Sequence, residues 1–214
     1  MRLQKPLHQT IPTMKKTRTL FAPLLALLLM LQPATATITG GSISGGISKE
    51  RGGVFKKLTP PIGNVGKDNH QSPNLFGFDE TQNIKLTQDL LVDVLVDKGK
   101  IVRKTAKKIA SGETVSSHYI FYDPINGDIK GTVRFDSDII AIITTTNKLK
   151  ASDFLVITTD ATYLNSGPRG IESNDIIRVT GPRKIYVDFT AVSPGDYIRV
   201  LTSFSNLAEE SASE

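Results

Sequence analysis

The chain has 214 residues, with 26 Lys and Arg against 21 Asp and Glu, a formal net charge of +5, and neither cysteine nor tryptophan. Without cysteine there is no disulfide framework, thiol nucleophile, iron–sulfur cluster or thiolate zinc site, so stability has to come from burial. The positive excess is local. Residues 1–36 hold Arg2, Lys5, Lys15, Lys16 and Arg18 and no acid, which leaves the rest balanced at 21 against 21 and implies no nucleic-acid partner.

The first element is a targeting segment. In MKKTRTLFAPLLALLLMLQPATA, residues 14–36, a basic start precedes an apolar run over Leu20–Leu31, and Ala34-Thr35-Ala36 supplies the small residues a signal peptidase requires. The order of these parts predicts a secretory signal over 1–36 with Met14 as the natural start, and hence a secreted, extracellular or periplasmic protein. The run is too short for a membrane span. No second long apolar stretch follows, so no membrane span is expected in the mature chain.

Residues 37–73 contain TITGGSISGGISKERGG and LTPPIGNVGKDNHQSPN, rich in Gly, Ser, Pro and Asn with neither strand nor helix periodicity, and read as a flexible leader. Short β-branched and aromatic runs follow over 74–206: NIKL, LLVDVLV, VSSHYIFYD, GTVRFD, DIIAIITTT, DIIRVTG, KIYVDFTA and DYIRVLTSF. Their spacing predicts an all-β, single-domain antiparallel β-sandwich, jelly-roll-like, with one helical turn at NKLKASDFLV. Asp123-Pro124-Ile125-Asn126-Gly127-Asp128 has the chemistry of a tight hairpin turn. In SSHYIFYD both faces carry bulk, which predicts a strand covered on both sides, as does DIIAIITT. DYIRVLTSF predicts one buried face, with Ile198, Val200 and Phe204, and one half-wet face with Tyr197, Arg199 and Leu201. Residues 207–214 form an acidic tail.

NLFGFDETQNIKL, SSHYIFYDP, GTVRFDSDIIAIIT, ASDF, TYLNSGPRGIESND and VDFTAVSPGDYIRVLT together resemble a recurrent β-sandwich module of exported bacterial proteins, found in cyanobacteria and planctomycetes and often followed by a PEP-CTERM sorting tail. The resemblance covers residues 74–204 and implies location and fold more than function. NLAEESASE carries no Pro-Glu-Pro motif, apolar anchor or basic end, so the anchored fate is not expected here.

No motif marks a catalytic residue. GGSISGG misses the spacing of a nucleophile elbow, and GNVGKD that of a phosphate loop. His118 and Asp123 are an odd number of residues apart, so a regular strand points them to opposite faces, and His118 is expected to bond a neighbour within a sheet. Asp123, Asn126, Asp128, Asp136 and Asp138 in successive turns form a candidate calcium set, with plain turn chemistry as the simpler reading. Tyr163, Asn165, Arg169, Glu172 and Asp175 offer an aromatic face and planar polar groups for a sugar; the simpler reading is a shaped loop with Arg169 paired to Glu172. Lys98, Lys100, Arg103, Lys104, Lys107 and Lys108 form a basic run without stacking aromatics. These readings favour a non-catalytic envelope or extracellular protein that contacts polysaccharide or other envelope proteins. A carbohydrate-binding module is the alternative, and a hydrolase comes third.

Overall fold

The computed structural model describes residues 36–157, 159–164 and 169–204. The expected signal up to residue 35, Asn165 of the candidate sugar loop and the acidic tail lie outside the described residues. Strands are numbered in chain order. One sheet runs β1 (Ile38–Gly45), β10 (Asn126–Phe135), β14 (Lys184–Val192), β13 (Ile176–Gly181), antiparallel throughout. The larger sheet runs β2 (Phe55–Lys57), β4 (Leu75–Lys85), β9 (Thr114–Tyr122), β15 (Asp196–Ser203), β11 (Ile139–Ile143), β6 (Val94–Asp97), β7 (Lys100–Val102), with β2 alone parallel to its neighbour. Two short ladders, β3 (Asn64–Val65) with β12 (Thr162–Tyr163) and β5 (Leu90–Leu91) with β8 (Lys108–Ile109), complete the strands. The helical segments are short: α1 (Ile47–Glu50), α2 (Thr146–Ala151) and a 3-10 turn at Asp153–Leu155, the last two at the predicted helical turn. Among the described residues no helix is long and apolar enough to cross a membrane.

Alternation along the strands builds two cores. Ile120 and Tyr122 of β9, Ile198 and Val200 of β15, and Ile185, Val187 and Phe189 of β14 meet between the sheets. On the outer face of the larger sheet Tyr119, Phe121, Tyr197 and Leu201 pack beneath Leu149, Leu155 and Val65. The larger sheet is therefore covered on both sides, as the two-sided bulk of SSHYIFYD and DIIAIITT predicts. Each fully buried Ile or Phe contributes ~1.5–3 kcal/mol, which is how a chain without cross-links holds together.

Four expectations are corrected. The segment over 37–73 is not a loose leader: Ile38–Gly45 is a strand paired with β10, and Ile38 is 2% exposed in the inter-sheet core. Its glycines are clearances. A Cβ on Gly41 would stand 2.5 Å from the Phe55 ring and 2.7 Å from the Thr132 carbonyl oxygen. The turn at 123–128 is not a hairpin but a corner, because β9 belongs to the larger sheet and β10 to the smaller. Asn126 and Gly127 are already paired with Val192 and Ala191. Bare Gly127 leaves room for the Tyr122 hydroxyl, which a Cβ would meet at 2.8 Å. The second face of β15 is not half-wet, since Tyr197, Arg199 and Leu201 are buried under α2, the 3-10 turn and the β3–β12 ladder. Finally, NIKL is only the end of an 11-residue strand whose register slips at Asp79/Thr81 and Thr81/Ile84.

Candidate functional site

Three polar constellations grow out of these strands. The first lies at the rim of the inter-sheet core. His118 is fully buried; its Nδ1 is 2.7 Å from Asp79 Oδ1, its Nε2 is 3.0 Å from Thr202 Oγ1, and its ring lies 5.1 Å from that of Phe135. Asp79 also accepts from Thr37 Oγ1 at 2.6 Å and the Ile38 N–H at 2.9 Å, and Lys57 Nζ sits 2.7 Å away. Burial opposes the Asp79 charge, but the bonds from His118, Lys57 and Thr37 outweigh it and hold the carboxyl well below the usual range. His118 is thus bonded to sheet neighbours and not to Asp123, as strand parity requires. Replacing His118 with Gln strands part of this network and is expected to cost ~1–3 kcal/mol, read as a lower midpoint in urea unfolding.

The second constellation is inside the outer core. Alternation along β4 puts Glu80 on the outer face with Phe76 and Phe78, opposite Asp79 and toward Arg199 of β15. Arg199 Nε and Nη2 donate to the two Glu80 oxygens, both at 2.6 Å, and Nη1 donates to the Leu149 carbonyl at 3.0 Å. Both side chains are fully buried. The hydroxyls of Ser117 and Tyr163 also donate to Glu80. Beside them Arg169 donates to Tyr119 Oη at 2.8 Å and grips Asp153 at 2.7 and 2.8 Å, with its guanidinium 4.1 Å from the centre of the Tyr163 ring. Burial, offset in part by the two arginines, pushes the Tyr119 hydroxyl up to about 12. The network is closed on itself and holds the outer layer to the sheet.

The third constellation faces solvent. A cleft of about 270 Å³ opens at the end of the sandwich where β14 turns into β15, lined among others by Thr146, Arg169, Glu172, Ser193 and Asp196. Asp196 is 3% exposed, and its buried Oδ2 meets no hydrogen-bond donor. Burial first, then the charges of Asp175 and Glu172, push its carboxyl up to about 8, with Asp175 within hydrogen-bonding reach. Beside Asp175 a protonated Asp196 carboxyl would donate a hydrogen bond where an ionised one repels. Asp175 itself accepts the Glu172 N–H at 2.7 Å and the Thr190 N–H at 2.9 Å, so it is fixed in place as an acceptor. On the opposite face of the same sheet end, burial and then Asp68 raise Asp123 to about 6, while the His70 N–H at 3.1 Å works the other way.

The sequence-derived candidates divide accordingly. Of the sugar-loop residues, Tyr163 and Arg169 turn inward to Glu80 and Asp153. Glu172 lines the cleft together with the buried Arg169, Asp175 bonds the Glu172 and Thr190 N–H groups, and Arg169 pairs with Asp153 rather than Glu172. The calcium set does not converge. Asp128 accepts the Ile47 N–H at one end of β10, whereas Asp136 bonds Thr37 and Asp138 pairs with Arg183 at the other. Eight residues of extended strand from Asp128 to Asp136 span ~26 Å. Among the described residues no group of three or more His, Cys, Asp or Glu is placed to hold a metal. The basic run is exposed along β7 and the segment to β8, with Lys108 held by Asp89 at 2.5 Å.

Comparison with known protein families, with curated proteins and with solved structures finds no match. The sequence reading missed Asp79, Glu80, Asp196 and Arg199. The signal for the last two is parity: Asp196 shares its face with Ile198 and Val200, and Arg199 with Tyr197 and Leu201. A charge on an apolar face implies a partner arriving from elsewhere.

Proposed function

We propose that the protein is an exported, non-catalytic β-sandwich with a structural or interaction role in the envelope or extracellular space, making its contacts at the cleft beside Asp196. One observation carries this reading. His118, Glu80, Arg199 and Tyr119, four side chains with catalytic potential, use their hydrogen bonds on buried or part-buried partners in the protein, while the cleft presents Glu172 to solvent. The N-terminal signal pattern supports export. Carbohydrate binding is the second reading, favoured by the exposed carboxylate of Glu172 at the cleft, an acceptor for sugar hydroxyls. A hydrolase fits less well. Glycosidases hold their two carboxyls ~5–9.5 Å apart, whereas Asp196 and Asp175 are within hydrogen-bonding reach of each other.

A glycan array combined with capture of envelope proteins by the purified chain tests the proposal. Binding that weakens in Glu172→Gln at unchanged melting temperature is the expected result. Retention of neither glycan nor protein partner removes the interaction role, and glycan cleavage abolished by Asp196→Asn would replace it with catalysis.

A further inference from the structure

Thr37, the residue after the expected signal, is held by unusually many groups for a chain position beside a cleavage point. Its N–H donates to Asp136 Oδ1 at 2.7 Å, and its carbonyl accepts from the Asp136 N–H at 3.1 Å. Its hydroxyl donates to Asp79 Oδ2 at 2.6 Å, and the next N–H, of Ile38, donates to Asp79 Oδ1 at 2.9 Å. The titratable groups facing this spot are Asp136 after β10, Asp79 on β4, Lys57 on β2 and, behind Asp79, His118 on β9. Lys57 answers Asp79 at 2.7 Å. Among the described residues Asp136 has no cationic partner; its neighbours are the Thr37 N–H and the Ser137 hydroxyl.

We infer that the Ala36–Thr37 bond is a processing site whose product the fold receives: the α-ammonium released on Thr37 pairs with Asp136 and locks β1 onto the sheet. The step is a hydrolysis by a peptidase. Water adds across the amide, the C–N bond breaks, Ala36 leaves with a carboxylate, and Thr37 keeps an amine that takes up a proton. The nitrogen then carries a full positive charge where it already donates to a carboxylate, and the unanswered negative charge at the rim is neutralised. A charge-assisted bond of this kind is about twice as strong as the neutral one it replaces. The order of events follows from burial. Ala36 is fully buried and Thr37 is bonded through N–H, carbonyl and hydroxyl, so a peptidase that needs an extended segment must cut before β1 docks.

This inference rests on the reading of residues 14–36 as a signal, and one experiment separates the two. The full chain is expressed through the export pathway, beside a form with Ser-Gly-Ser inserted between Ala36 and Thr37. Processing then leaves the amine three residues, ~10 Å, away. Mass spectrometry gives each mature N-terminus, and thermal melts are run from pH 6 to pH 10. The expected product begins at Thr37 and melts ~2–4 °C above the insertion form near pH 6.5. The α-amino pKa, ordinarily ~7.7–8.0, is raised by Asp136, so the advantage is present below that range and is lost as pH rises through the raised value. Asp136→Asn abolishes the difference between the two forms. N-acetylation of the native product, which leaves every side chain in place, lowers its melting temperature to that of the insertion form. A mature N-terminus elsewhere overturns the signal reading. A Thr37 start with equal melting of the two forms at pH 6.5 overturns the lock and leaves that reading intact.

Discussion

Replacing Arg199 with methionine is expected to cost ~3–5 kcal/mol, because the Glu80 carboxyl loses its guanidinium counter-charge while staying fully buried. Domains of this size are stable by ~5–15 kcal/mol in total, so one substitution takes a large share of the whole. The geometry makes this residue an extreme case. The two carboxylate oxygens of Glu80 receive the Arg199 fork at 2.6 Å each, and neither side chain touches solvent. Burial pulls the Glu80 carboxyl up, but the charge of Arg199 and the bonds it makes win and keep the group ionised. Pairing Arg199→Met with Glu80→Gln removes the stranded carboxyl. The amide of Gln can still meet the Ser117 and Tyr163 hydroxyls, so the double variant is expected to lose less than the sum of the single losses. Urea unfolding of the four proteins at constant m-value measures the coupling. Additive losses would mean that Glu80 and Arg199 do not depend on one another.

The stability of the protein is expected to fall as pH rises from about 4 to about 8, opposite to the usual behaviour of a chain whose carboxylates are paired. Asp196 decides this. Its carboxyl stands near 8 in the fold, through burial and then through Asp175 and Glu172, whereas in the unfolded chain it loses its proton near 4. Between those values the native state holds one proton more than the unfolded state, so each step up in pH favours unfolding; above 8 the loss is complete. Asp123, raised to about 6 by burial and Asp68, adds a smaller decline of the same sign. Asp79 acts oppositely. Its carboxyl is held below the ordinary range, so its contribution is intact above pH 4 and disappears only in strong acid. The net is a maximum on the acid side of neutrality. Asp196→Asn, whose amide donates to Asp175 as the protonated acid does, is expected to flatten most of the decline and to exceed the parent by a few kcal/mol near pH 8. Chemical unfolding at pH 5, 6.5 and 8 checks both statements. A parent protein as stable at pH 8 as at pH 5 would mean that Asp196 ionises normally.

Alternation along single strands was enough to read β9, β11, β13 and β14, and β15 as a strand though not the cover over its second face, because each places β-branched or aromatic side chains toward a core at every second residue. It failed where a strand is built from what is missing. Gly41 must be bare for the Phe55 ring to lie over β1, and lack of bulk looks the same in a string whether it marks a free segment or a tight approach. It failed again in β4, where the register slips twice and Asp79 and Glu80 interrupt the apolar run. Asn126-Gly127 has hairpin chemistry, yet it begins a strand of the other sheet, and the choice of sheet depends on pairings far along the chain. At the site, parity placed His118 on the face away from Asp123 but could not name Asp79, 39 residues earlier, as its partner. Tyr163 and Arg169 have the inventory of a sugar site, and only the third dimension reveals that Glu80, Asp153 and Tyr119 have already claimed them.

Among the described residues the larger sheet ends at β7, paired with β6, and Lys98, Lys100 and Ile101 are exposed at that rim. Beyond the basic N-terminal 36 residues the opposing charges cancel, so long-range repulsion between copies cannot keep them apart. The task falls to the rim. Bringing two such edges into register would set ammonium groups against one another at strand spacing, ~4.8 Å, and would bury them without counter-ions. Charge at this rim, together with the turn at Gly181 and Pro182 that packs against Gly99, disfavours edge-to-edge pairing of copies.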